Sequence, residues 1–87
     1  MLEALLGQVV VVDVDSPYVC LGTLVHADEH FLELRDADFH DLRDTTTSRE
    51  NYVAACLATG IKRNRKRVLL ARSAMVAIAL FSDIVDE

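Results

Sequence analysis

The apolar and polar positions of this 87-residue chain follow two rhythms. Residues 8–15 read Gln-Val-Val-Val-Val-Asp-Val-Asp, with Val10, Val12 and Val14 alternating against Val11, Asp13 and Asp15. A two-residue period built from β-branched side chains predicts a strand. Ser16-Pro17 is a turn signal. A second strand is expected over 18–26, with Gly22 in its middle marking a bulge or sharp bend. Residues 30–35 alternate again, Leu32 and Leu34 on one face, Glu33 and Arg35 on the other. The stretch 36–44 is acidic and turn-like. The period then lengthens: Tyr52, Val53, Cys56 and Leu57 fall at helical spacing. Thr47-x-x-Glu50 fits a capping box, and Gly60 stands where a glycine would end the helix, predicting a helix over 48–59. Two last strands are expected over 68–72 and 75–81 around Ser73-Ala74, then a short acidic end over 82–87. Leu2 to Leu6 can form one helical turn before Gly7.

The predicted fold is mainly β: a small, strongly bent five-stranded antiparallel barrel. It has a short N-terminal helical turn and a helix inserted between strands 3 and 4. The chain, 1–87, reads as a single domain, with the helix-bearing insertion at about 37–67. Bending is expected because five short strands make a poor flat sheet with two open edges. The last strand, Met75-Val76-Ala77-Ile78-Ala79-Leu80, has neither charge nor proline and would be a liability as a bare edge. It predicts a contact with another subunit, for which Val68, Leu70, Met75, Val76, Ile78 and Leu80 are the candidate interface residues. The apolar content of 52% in so short a chain points the same way.

Charge changes the picture further. The net charge of −5 argues against a broadly basic nucleic-acid binder, yet the charge is segregated. Residues 1–44 hold ten acidic and two basic side chains, residues 45–87 four and seven. Five of the nine basic residues, Lys62, Arg63, Arg65, Lys66 and Arg67, lie in one six-residue window. Such a run is a candidate phosphate contact, though on residue type alone a solvated loop balancing the acidic surface is the more frequent arrangement.

The motifs resemble those of a known family. Gly7-x-x-Val10-x-Val12, Gly22-Thr23-Leu24, Asp28-Glu29-His30, and Leu32-x-Leu34 with Asp36 resemble the first motif of the Sm and Sm-like (LSm) proteins, the superfamily that includes bacterial Hfq. Ala71-Arg72-Ser73 followed by Val76 and Ile78 resembles a degraded second motif. The resemblance implies homo-oligomeric rings of about five to seven or more subunits, the fourth strand of one pairing with the fifth of the next. It also implies single-stranded RNA bound near the pore, non-catalytically. His30 resembles the stacking residue of the first motif, Arg72 the arginine of the second, and Asp28 the acid that orients the loop; Phe31 and Ser73 flank them. The sequence departs from the pattern where Phe31 alone replaces Met-Asn, removing the residue that reads the base. It departs again at Ser73, which replaces glycine, and in the expanded connection between strands 3 and 4. The Tyr-Lys-His of Hfq is absent. The alternative reading is a ring that acts as a protein–protein assembly module without RNA.

Other chemistry finds little support. Asp36, Asp38, His40, Asp41 and Asp44 are metal-ligand types at close spacing, but without the glycine turn and bidentate glutamate of an EF-hand loop they read as a solvated acidic loop. No metal, cofactor or catalytic motif is expected. Cys20 and Cys56, two only, read as buried free thiols. The start of the chain lacks a basic leader, and the longest apolar stretch near the C-terminus, 74–81, is far short of the roughly 20 residues of a membrane helix. A soluble cytoplasmic protein is expected.

Overall fold

The computed structural model describes residues 2–15, 17–44 and 46–85. Ser16 of the expected turn, and Asp86 and Glu87 of the acidic end, lie outside them. Five antiparallel strands form one sheet: β1 (Val9–Val14), β2 (Tyr18–Ala27), β3 (Phe31–Asp41), β4 (Arg65–Ala71) and β5 (Met75–Leu80), in the order β4-β3-β2-β1-β5. A 3-10 turn, Leu2–Leu5, precedes β1, and one α-helix, α1 (Arg49–Thr59), joins β3 to β4. The mainly-β bent sheet with its inserted helix is as the alternation predicts. Among the described residues, no helix is long and apolar enough to cross a membrane.

The sheet curls around an apolar core drawn from all five strands. Val10, Val12, Cys20, Leu24, Leu32 and Leu34 are fully buried there, with Leu70, Val68, Met75, Ile78 and Leu80 closing against them. The bend falls at Gly22, where the β2–β3 register shifts between Leu21 and Thr23. A Cβ at Gly22 would lie 2.9 Å from the Ala37 Cβ and 3.1 Å from its Cα, so only glycine lets the two strands approach this closely.

The opposite face of the sheet is covered as well. Val53 and Cys56 of α1 pack on Val11, Val19 and Leu21. Val10, Val11 and Val12 of β1 are therefore buried, on both sides of the strand, and part of the apolar surplus is absorbed inside one chain. Ser48 caps α1, its hydroxyl accepting from the Asn51 N–H at 3.2 Å. This corrects the expected cap at Thr47 by one residue. Gly60 ends the helix as expected, with φ of 91° and its N–H donating to the Cys56 carbonyl. Both cysteines are free and buried. Burial, with the Asp38 carboxylate nearby, pushes the Cys20 thiol up to about 12.

The stretch 36–44 is not a solvated acidic loop. β3 continues through it to Asp41, and a 3-10 turn, Leu42–Asp44, follows. Asp36 adopts φ of 50°, and beyond it the strand changes phase: Ala37 and Phe39 now face the core. Asp38 is only 1% exposed. It is held from the helix side by the Tyr52 hydroxyl, which donates to Oδ2, and by the Asn64 Nδ2, which donates to Oδ1 at 3.1 Å. A buried carboxylate satisfied in this way is a structural node. His40 stacks on the Tyr52 ring at 4.0 Å between centroids.

Candidate nucleic-acid interface

Asp28, Glu29 and His30 connect β2 to β3. An aspartate at the head of such a loop can satisfy the backbone two and three residues on. Asp28 does so: its Oδ1 accepts from the His30 and Phe31 N–H groups, each at 2.8 Å. Its own N–H donates to the Phe31 carbonyl at 3.0 Å. The Phe31 and His30 amides hold the Asp28 carboxyl below the usual carboxylate range.

The β4–β5 connection is a 3-10 turn, Arg72–Ala74, and it is tied to this loop twice. The Arg72 N–H donates to the His30 carbonyl at 2.8 Å, and its guanidinium donates to the Asp28 carbonyl at 2.6 Å. Phe31 stands opposite Ala71 as the last rung between β3 and β4. Residues more than 40 positions apart thus form one corner. His30, Ser73 and Phe31 are exposed there, Phe31 by 47%. Beside Arg72 lies a cavity of about 160 Å³, walled by Leu2, Glu3, Leu6 and Ala27. The N-terminal turn is therefore part of the corner, a role that no motif in the sequence signals. Exposed aromatic rings, an imidazole and a guanidinium on a fixed backbone are groups that stack on unpaired bases.

The basic run lies elsewhere. Arg65, Lys66 and Arg67 open β4, so half of the run is strand and not inserted loop. Arg65 and Arg72 are seven residues apart along an extended chain, about 23 Å at ~3.3 Å per residue. The Arg67 Nε donates to Glu33 Oε2 at 3.0 Å, and the Arg35 Nε donates to the same oxygen at 3.2 Å. Asn64 anchors the run: its Oδ1 accepts from the Phe39 N–H, and its Nδ2 donates to Asp38 and to the Phe39 carbonyl. The sequence singled out the cations and passed over this neutral residue, because its partners are 25 and 26 positions away.

The expected interface residues divide in two. Val68, Leu70, Met75, Ile78 and Leu80 lie against the chain's own core, while Val76 is 70% exposed. Leu69, which the alternation did not single out, is 54% exposed on the outer face of β4.

No protein-family model matches the chain, and neither does any curated protein. Solved structures do. An Sm-like protein from Archaeoglobus fulgidus superposes with a TM-score of 0.62 at 16% identity, over 92% of this chain and 88% of that one. A Pyrococcus abyssii Sm protein, solved in complex with a uridine heptamer, superposes with a TM-score of 0.61 at 16% identity, over 91% and 90%. The chain has the Sm-like fold. Within it, the first-motif residues Asp28 and His30 meet the second-motif Arg72 in one corner, whereas the basic run opens β4 at the other end.

Proposed function

We propose that the chain is a ring-forming Sm-like protein that binds single-stranded RNA at the corner of Asp28, His30, Phe31, Arg72 and Ser73, without a catalytic step. The observation that carries this reading is the pair of bonds from Arg72 to the β2–β3 loop. They preorganise a guanidinium beside an exposed histidine and phenylalanine, so little ordering is left to bases that stack there. Similarity to a fold that holds a uridine heptamer in the Pyrococcus protein supports it. Phe31 offers a π-face and no hydrogen-bond code, so oligo-U and oligo-A bind with similar affinity. Assembly runs through the two edge strands, β4 of one copy against β5 of the next.

Fluorescence anisotropy with oligo-U and oligo-A at low salt tests the RNA reading. Binding of both, weakened by Phe31→Ala and by added salt, is the expected result. Absence of binding below about 100 μM, weaker than ordinary nonspecific nucleic-acid affinity, replaces this reading with a protein-partner assembly module.

A further inference from the structure

The two edges of the sheet carry grooves of opposite charge. On β4, a cavity of about 300 Å³ runs beside Phe39 and Leu69, with Arg65 and Arg67 on it. On β5, a cavity of about 280 Å³ opens between the sheet and α1. Ala77 and Ala79 leave room along its floor, and Asp13, Glu50 and Asp83 line it. Arg49 is its cation, but the Arg49 Nε lies 3.7 Å from Asp13 Oδ1, so those two offset each other. Glu50 and Asp83 remain, both exposed and without an ion-pair partner among the described residues. Lys62, Arg63, Arg65 and Lys66 are likewise exposed and without an ion-pair partner among the described residues, and Arg65 donates to the Asn64 carbonyl at 3.1 Å.

We infer that the basic run 62–67 is a docking element for a second copy of this chain, received by the acidic groove between β5 and α1. Antiparallel pairing sets the start of one β4 against the end of the neighbouring β5. Residues before Arg65 then lie beside those after Leu80, where Asp83 stands. Parallel pairing would instead bring the run toward Met75 and the neighbour's Arg72, cation against cation. The surfaces differ, so the contact is heterologous and propagates from copy to copy. The small side chains of Ala77 and Ala79 leave space for the exposed Leu69 of the incoming strand. The inserted helix thus contributes Glu50 to the subunit contact, and the cations that read as a phosphate patch are spent on assembly. This inference rests on the ring-forming reading and names the chemistry that would select the partner edge.

The test is a charge swap on the full chain. R63E/R65E leaves three cations and two new carboxylates in the run and so removes most of the charge from the β4 edge, and E50K/D83K makes both edges basic. Each variant alone is expected to fall, by light scattering, to near the 9.7 kDa of one chain. An equimolar mixture is expected to reassemble into oligomers of even subunit number, because alternation of the two sets the new carboxylates against the new lysines and the unchanged run against the unchanged groove. Recovery on mixing also shows that neither variant failed by unfolding. Variants that retain the wild-type mass overturn the docking role while leaving the ring intact. So does a mixture that stays at 9.7 kDa while both variants keep the wild-type circular dichroism spectrum. R63E/R65E that assembles normally yet loses oligo-U affinity returns the run to RNA. A wild-type mass of 9.7 kDa removes the ring reading itself, and this inference with it.

Discussion

The two ends of β4 are anchored in opposite ways. At its C-terminal end the anchor is the charged side chain itself: Arg72 donates through backbone and guanidinium to His30 and Asp28. At its N-terminal end the anchor is neutral. Asn64 binds Asp38 and Phe39, and, among the described residues, the flanking cations project without carboxylate partners except for Arg67. A fixed cation with exposed rings beside it suits a ligand of defined shape, such as a stacked base. Several unpaired cations on a fixed backbone suit a broad surface of opposite charge. On the proposed reading, local density of basic residues does not mark the end of β4 that recognises a defined ligand.

The largest effect expected is at the neutral anchor. Asn64→Ala removes the bonds to Phe39 and leaves the buried Asp38 carboxylate with Tyr52 as its remaining hydrogen-bond donor. A loss of about 2 kcal/mol is expected, the scale of an under-satisfied buried charge. For a domain of this size that lowers the melting midpoint by roughly 8–16 °C. An unchanged midpoint would mean that the Asn64 side chain does not anchor the N-terminal end of β4, which the backbone bond from Asn64 to the Ala37 carbonyl would then hold alone.

Next is the charged anchor. Arg72→Ala should weaken oligo-U binding about tenfold, close to 1.4 kcal/mol, consistent with the stacking share of one base. The far end supplies the control: R63Q/R65Q should change that affinity less than about threefold and lower the salt concentration at which assemblies dissociate. If the two variants exchange these effects, the comparison is inverted.

The smallest effect concerns Asp28. Two N–H donors hold its folded-state pKa below its unfolded value. The stabilisation is therefore fully present above the unfolded value and is lost as pH falls through the lower, folded value. The His30 and Phe31 amide proton shifts should titrate together with a midpoint below the ordinary aspartate value, and Asp28→Ala should abolish that titration. A shared midpoint at or above the ordinary aspartate value contradicts the loop as described.

Much of this was legible in the linear chain. The alternation of Val10, Val12 and Val14, and of Leu32 and Leu34, gives strands because a two-residue period can bury one face only as a strand. Gly22 announced the bend, and Gly60 the end of the helix. Asp28, His30 and Arg72 were singled out by their motifs. The strand through Asp38 was missed because aspartate disfavours strands unless a tertiary partner satisfies it, and its partners, Tyr52 and Asn64, are 14 and 26 residues away. Leu69 was missed because its exposure follows from which strand becomes an edge.

The sequence by itself determined the number and order of the strands, the helix, and the core face of β1 and of the first half of β3, since periodicity and turn chemistry act over a few residues. It also carried the segregation of charge. Only the tertiary structure decided that the helix covers the outer sheet face, that Asp38 is buried, and that Arg72 meets Asp28 while the basic run does not. Those outcomes depend on strand order, on the bulge at Asp36 that exchanges the faces of β3, and on hydrogen bonds spanning up to 44 residues. A local pattern can state which groups need partners; the folded chain chooses the partners.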